Sequence, residues 1–425
     1  MSSTDPPRKG RRLGIFGNRN FLDYFLTYLT SRSAFQVANV GLVWAIYAVT
    51  KSALDVALVG VANTVATLIT TLPAGVWIDR FDRVKLFLLS NLVSTLCLIL
   101  LSFVGTGPGF SLYAIVIVIA VWAVAGEIFR STSLAVIPDF VTSEELPNAN
   151  GVAQSGYQVV SSISTVLGGG LIVAAGVLST YLFGVAGYGL ATIFSATLLV
   201  RTRGARRHLS AEARPSQGMI REVREGFRWL QAQRGLLWLS IIALVYNFFY
   251  GIPTYFLVVY VSNVLRVVAF YYGALIAVFV AGGAVGALLA GRFPGTLKHS
   301  GKIFVISWGF LGGSLLLLVG FVPTLPVALV GLLGVGFGIG FGVNVWLTTA
   351  QNIVPTAMRG RYFAIDGLLS FVGGPPSIAV GGILVVSIGI TKSFILSGAA
   401  IVAFSVAFVF VRSLWTLDGS LRRPA

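Results

Sequence analysis

The sequence predicts an all-α polytopic membrane protein, with 12 transmembrane helices in two six-helix pseudo-repeats. Three observations lead there. The 425-residue chain is 56% hydrophobic and only 10% charged, with mean hydropathy +0.89, whereas soluble domains carry roughly 25% charged residues. Apolar runs of about 20 residues, long enough to cross a bilayer as helices, recur along nearly the whole chain. The basic residues fall into alternate connections between those runs. The alternating segments of about 10 residues that build an outer-membrane barrel are not seen.

The spans read as 22–48, 54–77, 86–105, 111–136, 150–175, 180–200, 236–261, 268–290, 303–322, 326–351, 364–388 and 393–412. Glycine, with 50 residues, suits helices that approach closely in lipid. With the N-terminus in the cytoplasm, 26 of the 30 Lys and Arg residues lie in or beside cytoplasmic segments. The opposite turns hold Lys51, Arg266 and Lys392, and span 1 holds Arg32. That bias places both termini in the cytoplasm of a multi-pass protein of the cell (plasma) membrane. The formal charge of +16 is then a topology signal and not a nucleic-acid footprint. The most basic connection divides the chain. The expected units are a cytoplasmic segment 1–21, a six-helix bundle 22–200, a basic linker 201–235, a second bundle 236–412 and a tail 413–425. The linker is also suited to anionic lipid headgroups.

A weak internal repeat supports the division. "VIPDFVTSEELPNANG" (Val136–Gly151) follows span 4, and "NIVPTAMRGRYFAIDG" (Asn352–Gly367) follows span 10. "LGGGLIVAAG" (Leu167–Gly176) echoes "VGGILVVSIG" (Val380–Gly389). Two halves of like orientation are a plan of many secondary transporters.

Between spans 2 and 3 stands "PAGVWIDRFDRVK" (Pro73–Lys85). Its Gly75, Asp79, Arg80 and Arg83 resemble the G-x-x-x-D-R-x-G-R-[KR] loop of the major facilitator superfamily. The departure is Asp82, where the family usually has glycine for a tight turn; Asp tolerates the left-handed conformation better than most residues. With the span count and the halves, the resemblance extends over the whole chain and implies the major facilitator fold. It further implies that Asp79 docks on the positive N-terminal end of span 11, near Phe363–Ile365, and that Arg83 pairs with Asp139 at the end of span 4. The first contact would hold the halves together on the cytoplasmic side in the outward-open state. The other reading of the cluster is a solvated positive-inside signal. The second half has no acid in the corresponding "AGRFPGTLKHSGK" (Ala290–Lys302).

Ionisable residues deep in a span are costly and therefore functional candidates. Arg32 lies about ten residues into span 1, Glu127 at similar depth in span 4, and Arg130 one turn nearer the cytoplasm. In the resembled family, spans 1, 4, 7 and 10 line the central cavity. The expectation is an ion network of Arg32, Glu127 and Arg130, with Glu127 as the proton-accepting member; the alternative is a static pair between spans 1 and 4. Span 7 offers Tyr246, Asn247 and Tyr250, with Thr254 and a kink at Pro253. Span 10 offers Asn344, Thr348, Gln351 and Asn352, and span 1 offers Gln36 and Asn39. Aromatic walls with sparse amides suit a large amphipathic solute better than a sugar. The tyrosines have a second reading as packing or interface residues.

No enzyme signature is present. His208 and His299 are far apart, Cys97 is alone in an apolar run, and no phosphate-binding Gly-Lys-Ser/Thr loop occurs, so neither metal nor cofactor is expected. "RSTSLAVIPDFVTSEELPNANG" (Arg130–Gly151) and "VPTAMRGRYFA" (Val354–Ala364) are similar to the span 4–5 and span 10–11 junctions of the exporter branch that includes macrolide-efflux and siderophore-export carriers. The expectation is a secondary active, proton-coupled exporter (an antiporter) of a hydrophobic or amphipathic small molecule. It would work by alternating access, with protons and membrane lipid as its other partners. The resemblance implies a monomer. The alternatives are an uptake or lysolipid carrier of the same fold, or a non-transporting membrane sensor.

Overall fold

The computed structural model describes residues 14–142, 145–202 and 219–418. Among them are 12 helices long and apolar enough to cross a membrane, and no strand. The first six are Arg19–Thr50, Ala53–Arg80, Arg83–Val104, Leu112–Val136, Leu146–Ala175 and Val177–Thr202. Span 7 runs over Arg234–Leu265, span 8 over Ala269–Arg292, span 9 over Leu297–Phe321 and span 10 over Leu325–Ile353. Span 11 is two helices, Thr356–Val372 and Gly374–Ile388, and span 12 is Ile390–Val409. Large apolar side chains such as Ile69, Leu288 and Val330 are about 70% exposed on the outside, the surface expected of a protein solvated by lipid.

Local chemistry sets the ends. Asn18, Ser52 and Ser111 cap spans 1, 2 and 4 by accepting bonds from first-turn amides, which satisfies donors a helix start leaves open. Asp82 does the same for span 3, accepting from the amides of Val84 at 2.9 Å and Lys85 at 3.2 Å. Its φ of −60° is ordinary extended backbone, so the position needs no glycine: the departure from the family pattern is an N-cap, not a strained turn. The ends also repeat between the halves. Lys51 closes span 1 and Arg266 closes span 7 in the left-handed conformation, with φ of 52° and 53°. Gly176 closes span 5 and Gly389 closes span 11, at 77° and 85°. Those glycines end the two echoing segments, so the backbone carries the same repeat as the sequence.

Among the described residues three spans are interrupted, span 9 by a π-helical stretch at Val305–Leu311 and spans 7 and 11 near prolines. Span 7 departs from the α-helix at Phe256, just after Pro253, and continues through a π-helical stretch, Tyr260–Leu265. Proline removes a ladder hydrogen bond and crowds the preceding turn. Span 11 breaks at Gly373, and Pro375 and Pro376 sit at the start of its second segment, where a missing N–H costs nothing. The basic linker contributes one more helix, Met219–Ala232. It packs beside the first segment of span 11, with the Trp229 ring 6.3 Å from that of Tyr362. The membrane face carrying this helix is called the linker face below; span 1 begins there and span 12 ends there.

Candidate functional site

On the linker face, Gly75 lies near the end of span 2, with open space around it. Arg80 is that helix's last residue and is exposed. Asp79 belongs to the same turn, but its side chain, like that of Ala364 in span 11, lies outside the described residues. Arg83 opens span 3. Its Nη1 donates to Asp139 Oδ1 at 3.1 Å and Oδ2 at 3.4 Å, and to the Ala135 carbonyl at 3.1 Å. The pair joins the start of span 3 to the end of span 4.

Deeper in the first half, Arg32, Glu127 and Arg130 line one cavity of about 140 Å³ together with Asn63, Trp122 and Tyr188. The charges are not shared equally. Arg130 grips Glu127 with two bonds, Nε to Oε2 at 2.8 Å and Nη2 to Oε1 at 2.6 Å, and Ser131 adds a third at 3.1 Å. The Glu127 side chain is 2% exposed and the Arg130 side chain 48%. Both residues are on span 4, one turn apart, so the pair forms without drawing two helices together.

Arg32 stands apart from this pair. Its guanidinium lies 5.4 Å from the ring centres of Tyr28 and Phe129 and 5.3 Å from that of Tyr157. Rings from spans 1, 4 and 5 thus hold the cation through their negative faces. Its Nε is buried and has no hydrogen-bond partner among the described residues. The expected three-membered network is therefore a two-membered pair beside a caged cation. Gln36 reaches across to Ser161 of span 5, and Asn39 is half-buried in span 1.

The second half places its candidates differently. Tyr246 bonds Ser405 of span 12 at 2.6 Å, and Tyr250 donates to the Trp308 carbonyl of span 9 at 2.8 Å. Both hydroxyls are used inside the bundle and do not meet the polar residues of span 10. Tyr250 also borders a small apolar cavity of about 40 Å³, with Pro253, Phe279 and Leu332. Asn247 and Asn344 are half-buried, Thr348 donates back to the Asn344 carbonyl at 3.0 Å, and Gln351 is exposed near the end of span 10.

Sequence reading passed over two buried acids. Asp23 pairs with Arg201 at 2.6 Å, joining spans 1 and 6. Asp366, 4% exposed, accepts a bond from Ser240 Oγ at 2.5 Å, joining spans 11 and 7. Each lies just inside a predicted span boundary. Applying the cost of a charge in an apolar segment to span ends would have flagged both.

The halves meet toward the face opposite the linker. Tyr47 accepts from Asn263 at 2.5 Å, and the Trp44 and Tyr272 rings lie 6.1 Å apart. Gly60 approaches Ile378, Gly382 approaches Ala57, and Gly169 approaches the Ala269 carbonyl. The named contacts join the two halves on the far side.

Twelve spans in two repeats, with a charged cavity in the first half, are the plan of many secondary transporters. The sequence matches the family model of the Major Facilitator Superfamily over residues 24–378, and the chain belongs to that family. It is an integral membrane protein and a transporter by family. Among its relatives are the multidrug efflux pump Tap of Mycolicibacterium fortuitum, 26% identical over 92% of this chain and 95% of that protein, and macrolide efflux protein A of Streptococcus pyogenes, 24% identical over 81% and 84%. Both are efflux proteins, in keeping with the exporter-branch resemblance. Similar solved structures include a bacterial homologue of the iron transporter ferroportin in an inward-facing state, with TM-score 0.73, 15% identity and coverage of 93% and 98%. Another is a bacterial homologue of the human lysosomal transporter Spinster, also inward-facing, with TM-score 0.71, 15% identity and coverage of 98% and 100%. These structures share the fold.

Proposed function

We propose that the protein exports a hydrophobic or amphipathic small molecule from the cytoplasm across the plasma membrane, as a monomer, by proton-coupled alternating access. The efflux relatives favour the direction. The excess of Lys and Arg on the linker face favours a cytoplasmic linker and termini. With that orientation, the contacts at the far side support an inward-facing reading, in which cargo enters from the cytoplasm or the inner leaflet.

The observation that carries the coupling reading is the Glu127–Arg130 pair on the cavity wall. A pair within one helix ties no two spans together, which argues against a purely architectural role. Protonation of Glu127 removes the charge that holds Arg130, so the half-exposed guanidinium turns to other acceptors. Arg32, whose Nε has no acceptor among the described residues, contacts polar atoms of the cargo, and the surrounding rings pack on its apolar body. Gln36, Asn39, Asn247, Asn344, Thr348 and Gln351 supply the remaining polar contacts. In the opposite, outward-facing state, Asp79 docks on the start of span 11 and closes the linker face. The Arg83–Asp139 pair braces that gate from within the first half.

The test uses purified protein in liposomes, with erythromycin as first probe because one relative is a macrolide efflux protein. An imposed pH gradient should drive erythromycin movement in the wild type and not in Glu127→Gln, while counterflow persists in both. Unaltered gradient-driven movement in the variant removes Glu127 from the coupling role, and absence of counterflow in the wild type favours a sensor over a carrier. For the gate, Asp79→Cys with Ala364→Cys in a Cys97→Ala background should crosslink more under outward-open conditions. Equal yields in both states would refute it.

A further inference from the structure

The acid in span 11 has no role in the reading above. Asp366 is 4% exposed, and the hydrogen bond it makes is with the Ser240 hydroxyl of span 7. No described cation pairs with it. The groups facing it from neighbouring elements are few. Ser240 comes from span 7, and Tyr362 lies one turn back on the same helix, near enough for Ser240 to reach its hydroxyl as well. Span 10 contributes the Trp346 indole, which donates to the Tyr362 hydroxyl at 3.2 Å, and the linker helix contributes the Trp229 ring. Tyr362 is thus the titratable neighbour described; Arg359 and Arg361, further back on the helix, have side chains outside the described residues.

The contrast with Glu127 is one of charge balance. Glu127 has a bidentate arginine and a serine; among the described residues Asp366 has a serine alone. A lone carboxylate among apolar groups gains a counter-charge, takes up a proton or moves to water, because an unpaired buried charge is the most expensive arrangement. The helix is built to allow the last of these. Asp366 lies in the first segment of span 11, which is separated from the second by the break at Gly373 and the two prolines after it. At 1.5 Å per residue it is about 15 Å from the linker-face end of its helix at Thr356, and Glu127 is about 14 Å from the end of span 4 at Val136. The two acids stand at similar distances along their helices from the linker-face ends, in opposite halves.

We propose that Asp366 is a second proton-binding site, and that its proton keeps the first segment of span 11 docked on span 7. Loss of the proton leaves a bare carboxylate against Ser240 and drives the segment toward the water of the linker face. The proton moves between the Asp366 carboxyl and that water, and no other reactant is needed. This adds to the coupling reading, but its test does not depend on transport or on knowing the cargo.

The experiment is infrared difference spectroscopy of the full-length protein in lipid nanodiscs, titrated with acid. The wild type should show a carbonyl-stretch band of a buried protonated carboxyl that is lost in Asp366→Asn and retained in Glu127→Gln. Ser240→Ala, which keeps the acid, should shift the band's frequency by removing its hydrogen bond. A band unchanged in Asp366→Asn overturns the proposal; should that variant fail to fold, a band unmoved by Ser240→Ala does so instead. Loss of gradient-driven transport in Glu127→Gln beside a band that survives in Asp366→Asn would leave the coupling reading standing and remove this site. The reverse pattern would do the opposite.

Discussion

The two halves share a fold but differ in how closely their helices approach. In the first half, polar side chains cross between spans. Ser31 bonds Asn91 at 2.5 Å and Asn91 bonds Ser195 at 3.2 Å, linking spans 1, 3 and 6. Ser33 meets Ser164 at 2.8 Å, and the Trp122 indole donates to Tyr188 at 3.2 Å. In the second half, spans 8 and 10 meet backbone to backbone. A Cβ added at Gly282 or Gly336 would lie 2.0 Å from a carbonyl oxygen of the other span, and one at Gly340 would lie 1.9 Å from the Gly283 oxygen. In lipid, helices gain nothing from hiding apolar surface, so close packing and interhelical hydrogen bonds do the work. Hydrogen bonds also cross between spans in the second half, as at Tyr246–Ser405 and Tyr250–Trp308; what that half adds is the backbone-to-backbone glycine seam. The first half is the one with the charged cavity.

The glycine contact gives the largest expected effect. Gly340→Ala must displace span 8 by more than an ångström, because the obstacle is backbone and not a flexible side chain. The cost is roughly 3 kcal/mol or more, read as loss of membrane-inserted, monodisperse protein. The same change at Gly126 or Gly151 in the first half, where a Cβ meets nothing within 4 Å, should be silent. Equal losses at all three positions would break the distinction between the halves.

Removing the cation from the charged cavity comes next. Arg130→Ala leaves Glu127 buried and without a cation, at a cost of about 3 kcal/mol, seen as a lower melting temperature. Adding Glu127→Gln should restore most of the loss, since the stranded charge goes with it. No recovery in the double variant would mean that Arg130 stabilises through its stem and not through the pair.

A smaller effect is expected where the halves meet. A Cβ at Gly273 would lie 2.4 Å from the Thr165 carbonyl of span 5. Gly273→Ala should cost the far-side-closed state about 1–2 kcal/mol, a population shift of roughly tenfold, while leaving each half intact. Spin labels at the exposed Lys51 and Arg266 would report it as a longer distance distribution. An unchanged distribution would show that spans 5 and 8 do not limit closure.

Most of the architecture was legible because its causes are local. Span count follows from runs of apolar residues, since every backbone polar group in lipid must be satisfied within its own helix. The caps at Asn18 and Ser52 and the breaks near Pro253 and Gly373 follow from what those residues permit. The Arg83–Asp139 contact was implied by the family resemblance, and the structure places the two within 3.1 Å. Periodicity was a weaker guide. Tyr246 and Tyr250 share a helix face, but which neighbour that face meets depends on how span 7 is rotated in the bundle. The neighbours proved to be spans 9 and 12.

The sequence by itself determined that this chain crosses a membrane in twelve helices, how those helices divide, and that Arg32, Glu127 and Arg130 stand inside them. It determined these because hydropathy, proline, glycine and the cost of a buried charge act within a few residues. Only the tertiary structure decided how the charges are partnered. Glu127 binds Arg130 and leaves Arg32 to three rings, and Asp366 bonds only a serine among the described residues, because pairing in a low-dielectric interior depends on distances between helices that no single segment encodes.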